Sequence, residues 1–151
     1  VATPEGDDAT EEDDSEEEED EAPEEVLAAD DDGVDINAAM QRARSQHNDG
    51  SYGEAVAELR QVVEAQPRNG EALFLLGSAL YEMGDEREAV RYLEAATGRN
   101  RRNAEAFLLL GSAQHARGDL NGAREAYRSY LELHPDGATA DEVRSIMEQQ
   151  L

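Results

Sequence analysis

Over the last three quarters of the chain, apolar residues recur three and four positions apart. Between residues 70 and 83 they fall at Leu73, Leu76, Leu80 and Met83, one stripe on a 3.6-residue helix. Gly84 follows at once, and glycine there ends a helix by taking a left-handed conformation that a Cβ resists. Asp85 and Glu88 have the spacing of a reciprocal N-terminal cap. Ala89, Leu93 and Ala96 then line one face of the next predicted helix. The pattern recurs on both sides. Ser51 and Glu54 predict a cap upstream, and Ala123, Tyr127 and Tyr130 line a helix downstream. Residues 138–151 predict one more amphipathic helix. Thr139 and Glu142 stand at cap spacing, and Val143, Ile146, Met147 and Leu151 share a face that covers the apolar edge of what precedes it.

The period is 34 residues. Residues 70–103 and 104–137 align without a gap and agree at ten of 34 positions, among them Leu76/Leu110, Gly77/Gly111, Gly84/Gly118, Asp85/Asp119 and Ala89/Ala123. The same frame falls on 36–69, with Ala43, Gly50 and Ala55 at the small sites. Asp35, Asn69 and Asn103 share one phase just before a helix, and all three are N-cap types. Pro67 and Pro135 share the closing phase, held by Arg101 in the middle unit. Gly77, Gly111, Ala89 and Ala123 predict close approach of the two helices of a unit, because a larger side chain would push them apart. The expected fold is all-α: three helix–turn–helix units at 36–69, 70–103 and 104–137, and a C-terminal capping helix at 138–151.

This pattern resembles the tetratricopeptide repeat family. That family carries a bulky residue at the fourth position, Leu-Gly at the seventh and eighth, Ala at the twentieth, a bulky residue at the twenty-fourth and Pro at the thirty-second. The second unit matches with Leu73, Leu76-Gly77, Ala89 and Leu93, and the third with Phe107, Leu110-Gly111, Ala123, Tyr127 and Pro135. The first unit departs at Ala39 and Arg42-Ala43 but keeps Tyr52, Ala55, Leu59 and Pro67. The resemblance implies a right-handed α-solenoid whose first helices line a concave binding face.

Charge divides the chain. Residues 1–35 hold 19 acids and no base, whereas residues 36–151 hold 18 acids and all 13 bases, within a net charge of −24. The acidic stretch is expected to be a disordered tail, since like charges repel and little apolar surface offsets the entropy of ordering. A spacer is its plain reading; a lure for a basic partner, or an internal competitor for a basic patch, is the alternative. Neither part is net basic, which argues against nucleic-acid binding. No apolar run approaches the length of a transmembrane helix. Cysteine is absent, removing thiol chemistry and Cys-ligated zinc. Every base is arginine, which a GC-rich genome explains most simply. The chain begins at Val1, so it reads as a processed product or a piece of a longer polypeptide, and with no export signal visible the expected compartment is the cytoplasm.

No residue constellation predicts catalysis, a cofactor or a metal. His47 and His115 stand two repeats apart, too far to share an ion, and no phosphate-loop glycine pattern occurs. Function is expected on the concave face. Carrying over the family's binding positions gives Met40, Phe74 and Leu108 at the fifth, Arg44, Ser78 and Ser112 at the ninth, and His47, Tyr81 and His115 at the twelfth. The second position gives Asn37, Glu71 and Glu105, and the thirteenth Asn48, Glu82 and Ala116. This mixed strip suits an extended peptide or a partner helix with apolar anchors. Family members that grip the C-terminal carboxylate of chaperones do so through cations and amides; the corresponding residues here are Met40, Arg44, Leu75, Glu105 and Leu109, so that grip is not expected. Arg68, Arg99, Arg101 and Arg102 lie at turns and form a candidate patch for an acidic ligand. The expectation is a monomeric interaction module, the C-terminal part of a larger bacterial scaffold or signalling protein. The alternatives are a self-assembling structural unit and a regulatory acidic tail.

Overall fold

The computed structural model describes residues 33–151. The expectation of a disordered acidic tail therefore concerns residues outside the described ones, apart from its last three. Of those, Val34 packs against the core and Asp35 caps the first helix, so the folded part begins slightly before residue 36.

The described residues form seven helices: α1 Ile36–Asn48, α2 Tyr52–Ala65, α3 Gly70–Glu82, α4 Glu86–Arg99, α5 Ala104–Ala116, α6 Leu120–Leu133 and α7 Ala138–Gln150. No strand occurs among the described residues. Each helix packs on its neighbour in sequence, and α1 also meets α3, as α3 meets α5. This is an all-α solenoid with α1, α3 and α5 side by side in one layer.

The local chemistry explains the helix ends. Asp35, Asn69 and Asn103 each accept a hydrogen bond from the backbone N–H three residues on, at 3.1, 3.0 and 3.0 Å. At the other end of α3 the Gly84 N–H donates to the Tyr81 carbonyl and the Asp85 N–H to the Leu80 carbonyl, both at 2.9 Å. These paired bonds need the left-handed turn that Gly84 adopts at φ 81°. Two of the predicted caps are not made. Ser51 precedes α2 without a side-chain bond to it. Thr139 lies inside α7, whose N-cap is Gly137. Asp85 does cap α4, accepting from the Glu88 N–H at 3.2 Å, but the Glu88 carboxylate accepts from Arg60 of α2 instead of folding back.

Packing explains the repeated small residues. A Cβ on Gly77 would stand 2.7 Å from Cγ of Leu93, and one on Gly111 would stand 2.6 Å from Cδ1 of Tyr127. The first and second helices of units two and three thus touch through glycine against a large buried residue. In unit one the pair is Ala43 and Leu59, both fully buried. Unit one also replaces the buried Leu76 and Leu110 with Arg42, which donates through Nε and Nη2 to the Glu58 carboxylate at 2.9 and 3.0 Å. An ion pair suits this position because, among the described residues, no helix packs on the other side of α1 to bury an apolar side chain there. Met83 departs from the predicted stripe. It falls just past the end of α3 and is 55% exposed.

The capping helix keeps the 34-residue phase, beginning where a fourth unit would, but not its packing. Its backbone approaches α6 and not α5. Gly137 occupies the phase of Asp35, Asn69 and Asn103 with φ 108° and ψ 169°, a region reserved for glycine. The altered entry turns α7 so that Val143 is buried with Tyr127 and Tyr130, and Ile146, Met147 and Leu151 pack around them.

Candidate functional site

The strip predicted from repeat positions lies on α1, α3 and α5, and the three helices present it unequally. Met40 is buried in the core and offers no surface to a ligand. The terminal unit has smaller neighbours at Ala39 and Ala43, and the flexible methionine fills the space beside them. Its counterparts Phe74 and Leu108 are half-buried, as are Tyr81, Ser112, His47 and His115. Arg44, Glu71 and Glu105 are exposed, and Ser78 is buried.

Polar groups of the first two units are spent on each other. Arg44 donates through Nε and Nη2 to the two oxygens of Glu71 at 2.6 and 2.7 Å, joining α1 to α3. The hydrogen bond and charge of Arg44 hold the Glu71 carboxyl below its usual range, against the opposing effect of partial burial. Nε2 of His47 lies 2.8 Å from Oγ of Ser78, and its ring meets the Tyr52 ring edge-on at 5.4 Å. The next repeat makes a different bond. Ser112 donates to the Leu108 carbonyl at 3.0 Å and lies 3.3 Å from the Tyr127 hydroxyl. Burial pushes the Tyr127 phenol up, with the Ser112 contact opposing it. Glu105 has no Arg44 equivalent, because Ser78 holds that place on α3, and it pairs with no described residue. The strip therefore has a self-neutralised end at α1–α3. At α5 it has an open end where Leu108, Glu105 and His115 meet solvent.

The arginine patch divides. Arg68 and Arg99 converge on a cleft of about 390 Å³, together with Gly70, Glu71, Phe74, Asn100 and Asn103. Gly70 permits this closeness, since a Cβ there would stand 3.3 Å from Cβ of Arg99. Arg101 instead lines a separate cleft of about 330 Å³ with Phe107 and Ser129, and Arg102 lines neither of the two. Asn100 and Asn103 were not among the expected site residues. The available signal was their position, each next to a turn already marked by arginines. Among the described residues no cluster of three or more metal-ligating side chains occurs, and no helix is long and apolar enough to cross a membrane.

Two family profiles, both described as tetratricopeptide repeat, match residues 27–100 and 76–138. The chain belongs to the tetratricopeptide repeat family. No curated protein matches it. Among solved structures it is similar to the first such domain of Spaghetti (RPAP3), bound to the HSP90 peptide SRMEEVD, with TM-score 0.68 and 24% identity over 75% of this chain and 90% of that one. The second domain of human RPAP3, in complex with the HSP70 peptide SGPTIEEVD, gives 0.69 and 20% over 76% and 96%. The type III secretion translocator chaperone SycD of Yersinia enterocolitica gives 0.68 and 15% over 75% and 81%. At these identities the likeness is one of fold. In the structure α1, α3, α5 and α7 begin 34 residues apart, at Ile36, Gly70, Ala104 and Ala138.

Proposed function

We propose that this tetratricopeptide repeat array is a protein–protein interaction module that holds an extended peptide or a helix of a protein partner across α1, α3 and α5. The carrying observation is the row of half-buried Phe74, Leu108, Tyr81 and His115. These side chains are fixed by their own helices yet keep accessible surface, which is what apolar anchors of a ligand require. Peptide complexes of the similar folds support the reading.

The ligand differs in chemistry from a chaperone C-terminus. Of the five residues at the family's carboxylate-gripping positions, Met40 is buried, Arg44 is bound to Glu71, Leu75 and Leu109 are apolar, and Glu105 is an acid. The favoured partner segment places apolar side chains over Phe74 and Leu108 and a cation or amide donor near Glu105.

A displayed random-peptide library, selected on the full chain and then assayed against two single variants, tests this. Selected peptides should carry apolar anchors and lose binding to Leu108→Glu and Phe74→Glu while circular dichroism stays helical. Binders that ignore both changes would remove the reading. Light scattering over a concentration series separates it from self-assembly, with a monomer at every concentration as the expected result.

A further inference from the structure

We propose that the acidic run at residues 11–25 of this chain docks intramolecularly in the cleft between Arg68 and Arg99. The cleft is built for an anion. Neither guanidinium forms an ion pair with a described residue. Glu71, the one acid on its wall, is neutralised from the other side by Arg44. The two asparagines add donors. The Asn100 side-chain oxygen accepts from the Arg102 N–H at 3.0 Å and that of Asn103 from the Ala106 N–H at 3.0 Å. With their carbonyl oxygens so committed, each amide has its NH2 group left to donate. Phe74 supplies an apolar floor. A carboxylate on a short stem is the side chain that matches two cations and two amide donors.

The occupant follows from charge and reach. Residues 11–25 read EEDDSEEEEDEAPEE, with 12 acids in 15 positions and no base. Asp35, Asn69 and Asn103 cap α1, α3 and α5 at the same end of the layer. The chain therefore runs into α1 on the side of the array where the cleft opens. Neighbouring axes in such a layer stand about 10 Å apart, so the cleft mouth is one to two helix spacings from Gly33. The seven residues separating the acidic run from Gly33 span up to about 25 Å when extended, enough to reach it. A segment tethered so close meets its site at an effective concentration in the millimolar range, so individually weak surface pairs suffice. An acidic peptide from another protein would have to displace it. The cleft shares Glu71 and Phe74 with the concave strip, so a docked tail competes with a strip ligand at that end, and the experiment below reads the docking without needing the strip's ligand.

The chain has no cysteine, so Ser15→Cys provides a unique attachment point for a nitroxide on the full-length protein. In the ¹⁵N spectrum, the amides of Gly70, Asn100 and Asn103 should lose intensity while those of Gly84 and Gly118, at the opposite helix ends, keep it. The loss should disappear at about 1 M salt, where the Debye length falls to about 3 Å. It should also disappear in Arg68→Glu/Arg99→Glu, and in the milder Arg68→Gln/Arg99→Gln if the charge reversal perturbs folding. Losses that simply follow proximity to Gly33, or that persist in both arginine variants, would overturn the proposal. Equal losses when spin label and isotope reside on separate molecules would overturn the intramolecular form, leaving the cleft as a contact between copies.

Discussion

Gly111 lies against the ring of Tyr127, so close that a Cβ added to it would stand 2.6 Å from Cδ1 and 2.7 Å from Cε1. Tyr127 is fully buried and its hydroxyl is near Ser112, so moving the ring aside disturbs packed neighbours. Gly111→Ala should destabilise the array by about 1–3 kcal/mol, the usual cost of overpacking. Gly98 is the control. It lies in α4 with nothing within 4 Å of its would-be Cβ, and Gly98→Ala should stabilise by about 0.5–1 kcal/mol through helix propensity. Urea denaturation monitored at 222 nm reads both, and equal effects would sink the close-contact account.

The N-caps separate residues that sequence alone treats alike. Asn69→Ala and Asn103→Ala should each cost about 1 kcal/mol, since each removes an acceptor from a helix N–H. Thr139→Ala should leave the denaturation midpoint within error because Thr139 caps nothing. A matching loss for Thr139→Ala would mean that α7 begins two residues later than described.

Gly137 should not tolerate the asparagine its phase invites. Its φ of 108° and ψ of 169° are strained for any side chain, at about 1–3 kcal/mol. Gly137→Asn should therefore speed hydrogen exchange in α7 while leaving α1 to α4 protected. Uniform exchange throughout the array would argue against an effect confined to the Gly137 entry into α7.

The Arg44–Glu71 pair carries a pH signature. The Glu71 carboxyl is held below its ordinary value chiefly by the Arg44 hydrogen bond. Its stabilising contribution is then fully present above the unfolded carboxyl pKa, about 4.3, and is lost as pH falls through the lower folded value. Both side chains are about half exposed, so the effect belongs with exposed pairs, about 0.2–1 kcal/mol. Glu71→Gln should lower stability slightly at neutral pH and match the parent in strong acid. The Glu71 carboxyl carbon should titrate at a higher pH in Arg44→Gln. An unmoved midpoint would show that the pair does not persist in solution.

Much of the fold was legible because its causes are local. The glycine stops at Gly50, Gly84 and Gly118 and the Asx caps at Asp35, Asn69 and Asn103 act within a few residues of themselves, so a 34-residue phase exposes them. The candidate surface was only partly legible. Repeat position says which helix face a side chain occupies but not what stands opposite. Met40 was placed on the strip by phase, yet the small neighbours of the terminal unit draw it into the core. Arg44 and Glu71, taken separately as ligand contacts, are 27 residues apart in sequence and bind each other. The four arginines of the predicted patch divide because only Arg68, in the turn before α3, and Arg99, at the end of α4, share the cleft beside Gly70.

From sequence alone came the number and order of the helices among the described residues and the glycine stops of the first helices, since those depend on periodicity and backbone sterics. The tertiary structure alone decided which charges cancel, which of the strip residues reach solvent, and how α7 turns away from α5 at Gly137. Those outcomes depend on distances between residues far apart in the chain, and a repeating pattern sets only the angle of each residue about its own helix.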